Sequence, residues 1–377
     1  MTRKTRYSFA ISDSIGCLEP ASWDALTAGK SFFLSRPYLS ALEQSAPDNL
    51  TARCALVYDG RRPVAAVSMQ LVDIGMDRIV QSPVAPARLR ARALVCGNLF
   101  SWGQHGVAFS DGVDPAAVWP AVAEVLYRVR KADTLSGKVD FVAIKDLPAS
   151  DAGPAALKRF RYRPVETEPN MVLTLEPSWK SFDDYLGELH SHYRKNARGV
   201  VGRLEKAGCS VEPLGAWGRN AERLYDLYLE VHRAAGLRPV TATPDYLPRV
   251  AAVAGADMRC TVVRRGEEIL GFVTTLKEDS KTAIGYYIGF SRDLRGELPV
   301  YFALLQSVVK DAIALGCTRV SFGRTALEPK AKLGALPEPT SIWVRHSNPL
   351  ANWAVGPLLG AVRHREAPKR NVFKAGA

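Results

Sequence analysis

One order of segments occurs twice along the chain, and it limits the folds available more than any other feature. In the first half, the β-rich runs 52–58 (ARCALVY) and 64–74 (VAAVSMQLVDI) flank the turn Asp59-Gly60-Arg61-Arg62-Pro63. Asp-Gly between two such runs is a hairpin signal, because glycine accepts the positive φ that a tight turn needs. A strand at 93–100, a helix at 115–131 and a strand at 138–144 follow. In the second half, 171–177 (MVLTLEP) predicts a strand, and Ser181 or Asp183 caps a helix on which Phe182, Tyr185, Leu186, Leu189 and Tyr193 fall at helical spacing. A helix over 220–235 carries Leu224, Leu227, Tyr228 and Val231 on one stripe. Strands at 260–265, 269–277 and 281–290 come next. A helix over 300–315, closed by Gly316, and a strand at 318–323 complete the series. Each half is therefore an antiparallel meander, then a helix, then a strand. The expected fold class is α/β (α+β), with two tandem domains at 1–167 and 168–377. Each is a mixed, mostly antiparallel sheet flanked by helices, and 377 residues suffice for two cores.

The net charge of +12 favours anionic partners: coenzyme A, phosphorylated precursors, nucleic acid or an anionic membrane surface. Six cysteines lie far apart, with no CxxC pair and no Cys/His spacing suited to zinc, so no metal is expected. The basic start MTRKTRYSFAISDSIG lacks the apolar stretch of a secretory signal, and no run reaches the roughly 18 apolar residues of a membrane span. The expected setting is cytoplasmic. Pro349–Val362 is apolar and is followed by Arg363, His364, Arg365, Lys369 and Arg370. That pattern suits either peripheral contact with the anionic inner face of a membrane or a terminal element packed on its own domain.

Two segments carry more than pattern: 190–213 (HSHYRKNARGVVGRLEKAGCSVEP) and 283–335. The first contains Arg194-Lys195-Asn196-Ala197-Arg198. The second runs into Gly323–Gly334 with Lys330, Lys332 and Leu333 in place. Together they resemble the Fem-type and CelD-like branch of the GNAT superfamily. That resemblance implies acyl transfer to an amine without a covalent enzyme intermediate and without a permanently bound cofactor. The donor it implies is an acyl-CoA co-substrate or, in the Fem type, aminoacyl-tRNA. Some bacterial relatives act on envelope lipids, including N-acylation of sphingoid bases, so the expected acceptor is a primary amine of an envelope lipid or its precursor. No other nucleic acid is expected as a partner. Residues 199–260 leave little room for the helical arm of Fem-type enzymes. A third reading is a degenerate pair of domains that only binds.

The GNAT pyrophosphate loop, Arg/Gln-x-x-Gly-x-Gly/Ala at a helix start, corresponds here to Arg292-Asp293-Leu294-Arg295-Gly296-Glu297-Leu298-Pro299. Arg292, Arg295 and Gly296 are the expected donor-binding residues, with Arg324 beside them. Glu297 departs from the small residue of the pattern. Lys330 is expected to stabilise an oxyanion or hold a donor phosphate. Tyr287 would protonate the leaving thiolate, and His232 or Glu230 would take the amine's proton. Arg194 and Arg198, four apart on one helix face, would clamp a phosphate. Tyr286, Lys332 and, in the first domain, His105 complete the expected substrate-binding set. Each also has a plainer reading: solvated basic face, aromatic core residue or loop histidine.

Overall fold

A computed structural model of the chain describes residues 6–75, 90–236, 238–294, 296–353 and 368–374. The chain forms two compact units. The first comprises Met1–Thr167, Gly236–Tyr246 and Pro339–Arg365, and the second Glu168–Ala235, Leu247–Glu338 and Glu366–Ala377. This differs from two consecutive domains meeting at 167/168, because two late segments pack with the first unit.

The first unit runs β1 (Tyr7–Ser12), α1 (Pro20–Thr27), α2 (Arg36–Gln44), β2 (Leu50–Asp59), β3 (Arg62–Gly75), β4 (Arg90–Cys96), β5 (Val107–Phe109), α3 (Pro115–Ala132), β6 (Phe141–Pro148), α4 (Gly153–Arg159) and β7 (Arg163–Glu166). β1 to β4 form an antiparallel meander, and α3 crosses over so that β6 lies parallel to β4. Trp119, Val122, Val125 and Leu126 of α3 share one buried core with Val67, Leu94 and Ile144 of the sheet.

The second unit runs β8 (Asn170–Thr174), α5 (Phe182–Glu188), α6 (Ser191–Lys206), β9 (Cys209–Pro213), α7 (Ala221–Arg233), α8 (Tyr246–Ala254), β10 (Met258–Arg265), β11 (Glu268–Lys277), β12 (Thr282–Phe290), α9 (Val300–Ala314), β13 (Arg319–Ser321), α10 (Leu327–Ala331) and β14 (Leu336–Glu338). Its sheet order is β14-β8-β13-β12-β11-β10-β9, with β12 and β13 parallel and α9 as their crossover. β15 (Thr340–His346) then pairs with β6 and β7 in the first unit's sheet.

The helix expected through Phe182–Tyr193 is two helices. Leu189 adopts an extended backbone, with ψ at 145°. The next amide, His190 N–H, donates to Val372 O, at 2.9 Å. A strand-like C-terminal segment thus takes the backbone group that would otherwise continue the helix. The same segment sets Phe373 against Gly334, whose φ is +90° and whose added Cβ would fall 2.4 Å from the Phe373 ring. The strand expected at 93–100 stops at Cys96, where Gly97 turns with φ of +133°.

Gly289 fixes α7 on the sheet. A Cβ there would lie 2.5 Å from the Phe272 ring and 2.6 Å from the backbone of Leu227 and Tyr228. Helix and strand therefore touch backbone to backbone, and no side chain of any size fits between them. Gly289→Ala is expected to lower the unfolding free energy by about 1–3 kcal/mol by forcing the two apart. Gly199→Ala, on the exposed side of α6 with no atom near the added methyl, is expected to raise it by about 0.5–1 kcal/mol. Urea denaturation of the full chain reads both signs.

Candidate active site

The parallel pair at the centre of the second sheet is brief. Thr282, Ala283 and Ile284 pair with Arg319, Val320 and Ser321, and the ladder then stops. β13 is drawn the other way. Phe322 N–H donates to Met171 O at 2.9 Å, and Met171 N–H to Gly323 O at 3.1 Å. Asn170 Oδ1 accepts from both Ser321 Oγ and Gly323 N–H, each at 3.0 Å. β12 runs on to Phe290, still paired with β11. Among the described residues, its β13-facing edge beyond Ile284 has no strand partner. The two strands part, and an edge of backbone amides opens between them.

At the point of parting β12 carries an extra residue. Ile288 pairs with Val273 and Gly285 with Thr275, so Tyr286 and Tyr287 together oppose Thr274. The Tyr287 N–H left over by this bulge donates to Thr274 Oγ1 at 2.9 Å. Tyr286 is buried and Tyr287 half-buried, with ring centroids 4.8 Å apart in an edge-to-face contact. Tyr287 also meets Tyr228 of α7 at 5.3 Å, and Tyr228 meets His232 at 5.0 Å. His232 and Tyr287 thus flank one tyrosine, the arrangement that seating α7 on Gly289 makes possible.

The loop after β12 is tied to the same helix. Glu230 Oε2 accepts from Arg292 N–H at 2.9 Å. That bond ties the loop to α7 through one oxygen of the carboxylate expected as a general base. Leu294 O then accepts from Glu297 N–H at 3.2 Å and Leu298 N–H at 3.1 Å, and Gly296 takes φ of +95°. Arg292 is exposed, and Arg295 lies outside the described residues. α9 begins at Val300 with Pro299 at its N-cap, and no side chain caps it. The first-turn N–H groups of a helix lack partners within the helix and carry its positive end, so an uncapped start favours an anion. The corresponding helix of the first unit is different. At the start of α3, the Asp114 carboxylate accepts from Ala116 N–H and fills that position with the chain's own negative charge.

Two cations follow β13. Lys330, on α10, is 3% exposed, and its Nζ donates to Gly323 O at 3.1 Å. Burial pulls its pKa down to about 7, against an upward pull from the charge of Glu168. No carboxylate among the described residues lies within ion-pair distance of its Nζ. Lys330 therefore exchanges a proton near neutrality, and its ammonium form is desolvated and poorly compensated, which makes it receptive to an incoming negative charge. Burial also lowers Arg324, to about 10.

The other expected residues divide. Arg194 is half-buried, and one guanidinium nitrogen donates to Gly187 O and Leu189 O, each at 3.2 Å. It closes the C-terminal end of α5, so the expected phosphate clamp with Arg198, itself exposed, is replaced by a helix-end bond. Lys332 is half-exposed, 3.9 Å from Glu328 Oε1. His105 belongs to the first unit. It is 1% exposed, with Nδ1 2.7 Å from Ser101 Oγ and its ring 4.5 Å from that of Phe33. Its burial corrects the expectation that it lines an acceptor cleft. Asn170 and Thr274, which shape the parting of the strands, were not among the expected residues. A polar residue on a short strand gives no sign in sequence of what it will hold. Among the described residues no group of three or more His, Cys, Asp or Glu has the placement to hold a metal ion.

Residues 191–331 match the acetyltransferase (GNAT) domain family, a span that opens on the first residue of α6 and closes on the last of α10. No curated protein matches the chain significantly in sequence. Among solved structures, FemX aligns with a TM-score of 0.56 at 11% identity, covering 90% of this chain and 98% of that one. A tandem GNAT protein from the clavulanic acid biosynthesis pathway gives 0.52 at 14% identity, over 91% of this chain and 99% of that one. A C-terminal domain assigned to a lysylphosphatidylglycerol synthetase of Agrobacterium fabrum gives 0.53 at 11% identity, over 88% and 92%. At such identities the structural likeness is one of fold. The chain has a tandem GNAT fold, and residues 191–331 of its second half match the GNAT acetyltransferase domain.

The lysine gives a measurable consequence. It titrates near 7 in the folded chain and near 10.5 when unfolded, so between those values the unfolded state binds more protons. Its unfavourable contribution is full below about pH 7 and disappears as pH rises towards 10.5. Lys330→Met is therefore expected to be more stable than wild type at pH 7, by an amount on the order of a few kcal/mol. The gap should shrink steadily towards pH 10. Urea unfolding of both proteins across that range checks the sign and the slope.

Proposed function

We propose that the protein transfers an acyl group from an acyl-CoA thioester to a primary amine of an envelope lipid or its precursor, such as a sphingoid base. The observation that carries this reading is the uncapped start of α9 beside the parting of β12 and β13. One end of the opening offers free N–H groups to a diphosphate, and along it lies an unpaired strand edge. An extended ligand bearing amides, as the pantetheine arm of coenzyme A does, can add to such an edge by backbone hydrogen bonds. Arg292, Gly296 and Arg295 are assigned to the phosphate end, and Arg324 and Lys330 to the negative charge further along.

In the proposed reaction the amine nitrogen attacks the thioester carbonyl. His232 takes the proton the amine loses. Lys330 ammonium stabilises the oxyanion. The C–S bond breaks, and Tyr287 protonates the departing thiolate. Glu230 acts as a positioning residue, through Arg292 N–H. The first unit, whose corresponding helix start is closed by Asp114, is assigned no donor site. Support for a lipid acceptor comes from the basic net charge and from the fold shared with a domain assigned to a lysylphosphatidylglycerol synthetase. The proposed setting is cytoplasmic, with peripheral contact at an anionic membrane face.

A thermal-shift series with coenzyme A, acetyl-CoA, palmitoyl-CoA and bulk tRNA tests the donor. Long-chain acyl-CoA, at about a hundred times its Kd, is expected to raise the melting temperature by several degrees. Lys330→Met should reduce amide formation from palmitoyl-CoA and a sphingoid base, followed by mass spectrometry, by about 100-fold or more. Stabilisation by tRNA alone would replace the thioester donor with aminoacyl-tRNA.

A further inference from the structure

A second concentration of cationic side chains lies in the first unit, outside the residues assigned to acyl transfer. Arg130, Lys131, Thr134, Lys138, Val139 and Ser347–Pro349 line a pocket of about 430 Å³. Three of these side chains are cationic and none is acidic. Cations in the last turn of α3 complement the negative end of a helix, which accounts for Arg130 and Lys131. It does not account for Lys138, which lies beyond the helix on the way into β6. The nearby carboxylate of Asp133 does not neutralise the group, because it is 7% exposed and held by Arg53 through two hydrogen bonds.

Large apolar side chains close in sequence to the lining residues are turned to solvent. Leu135, next to Thr134, is 100% exposed; Leu350, next to Pro349, is 83% exposed, and Trp353 76%. Their exposure is not slack in the chain. The helical turn 349–353 is pinned from beneath by buried Asn352, whose Oδ1 accepts from His346 N–H at 2.8 Å and whose Nδ2 donates to Arg161 O at 3.0 Å. Asn348 Oδ1 accepts from Leu350 N–H at 2.9 Å. Leu350 and Trp353, three apart on this turn, are both held outward while Asn352 points in.

Large apolar side chains fixed outward beside a cationic pocket match one environment. An anionic phospholipid surface offers phosphates to the cations and an acyl boundary to the leucines, and tryptophan partitions to the interface between them. We propose that this face of the first unit docks on an anionic phospholipid surface, with the pocket receiving a lipid phosphate and Leu135, Leu350 and Trp353 entering the headgroup–acyl boundary. A nucleic acid would meet the same charge but gains nothing from exposed leucines. The inference deepens the membrane contact proposed above by naming the surface that makes it, and it rests on that part of the reading alone.

Co-sedimentation of the full chain with vesicles tests it. The probes are phosphatidylcholine vesicles and vesicles of phosphatidylcholine mixed in equal parts with phosphatidylglycerol. Wild type is expected to sediment with the mixed vesicles, not with phosphatidylcholine alone, and to be released by salt. Leu350→Ser/Trp353→Ser and Lys131→Glu/Lys138→Glu are each expected to weaken binding about tenfold or more. Both should keep the wild-type melting temperature and unchanged transfer to a detergent-dispersed long-chain amine. Equal binding to both vesicle types, binding to neither, or variants that bind like wild type would overturn the docking surface, even if transfer proceeds. Vesicle binding as expected without any amide product would support the surface while removing the lipid-amine reading of the active site.

Discussion

The early end of pairing between β12 and β13 governs the rest of the second unit. Three residue pairs hold the strands together, and then Asn170 and Met171 of β8 take the hydrogen bonds of Ser321, Phe322 and Gly323. Arg319, Val320 and Ser321 pair with β12 on one side and β8 on the other, and beyond Ser321 the hydrogen bonds of Phe322 and Gly323 go to β8 alone. Among the described residues, the edge of β12 beyond Ile284 is left without a strand partner. The pairing with β8 sets Gly323 O where Lys330 reaches it, and it sends the chain into α10 at the strand's end. The tyrosine bulge, the loop held by Glu230 and the uncapped start of α9 are arranged along that same opening.

The two units show how similar topology yields different chemistry. Both contain a parallel pair of strands joined by a long crossover helix. In the first, Asp114 closes the helix start and Pro115 continues it; in the second, Pro299 occupies the cap and offers no side-chain acceptor. A carboxylate at that point already satisfies the amides and supplies the negative charge that the helix end favours. Without one, the same backbone groups remain for a ligand. A single residue at each cap thus separates a helix start that is complete in itself from one that accepts an anion.

Much of this fold was legible where a side chain carries its own signal. The Asp-Gly hairpin, the Ser181 cap and the αL glycine after α9, Gly316, all lie where local chemistry places them. The break between α5 and α6 was not legible, because Val372, nearly two hundred residues away, makes it. Nor was the membership of β15, since an alternating strand does not name its neighbours. In the site, the motif around Gly323–Gly334 drew attention to Lys330, but spacing says nothing about desolvation, which is what moves its pKa. Arg194 was read as part of a phosphate clamp and Glu230 as a general base, and each bonds to a backbone group. Charge is visible in a sequence, whereas the carbonyl or amide that engages it is not.

The account turns on Lys330 being a desolvated, poorly compensated cation at the parting of the strands. Its titration can be followed directly by NMR of side-chain-labelled lysine, with Lys330→Met to assign the signal. A midpoint near 7 in the free protein, moving upward when coenzyme A is bound, is the predicted result, because a nearby anion favours the charged form. A midpoint near the ordinary lysine value, or one unmoved by saturating coenzyme A, would contradict the account.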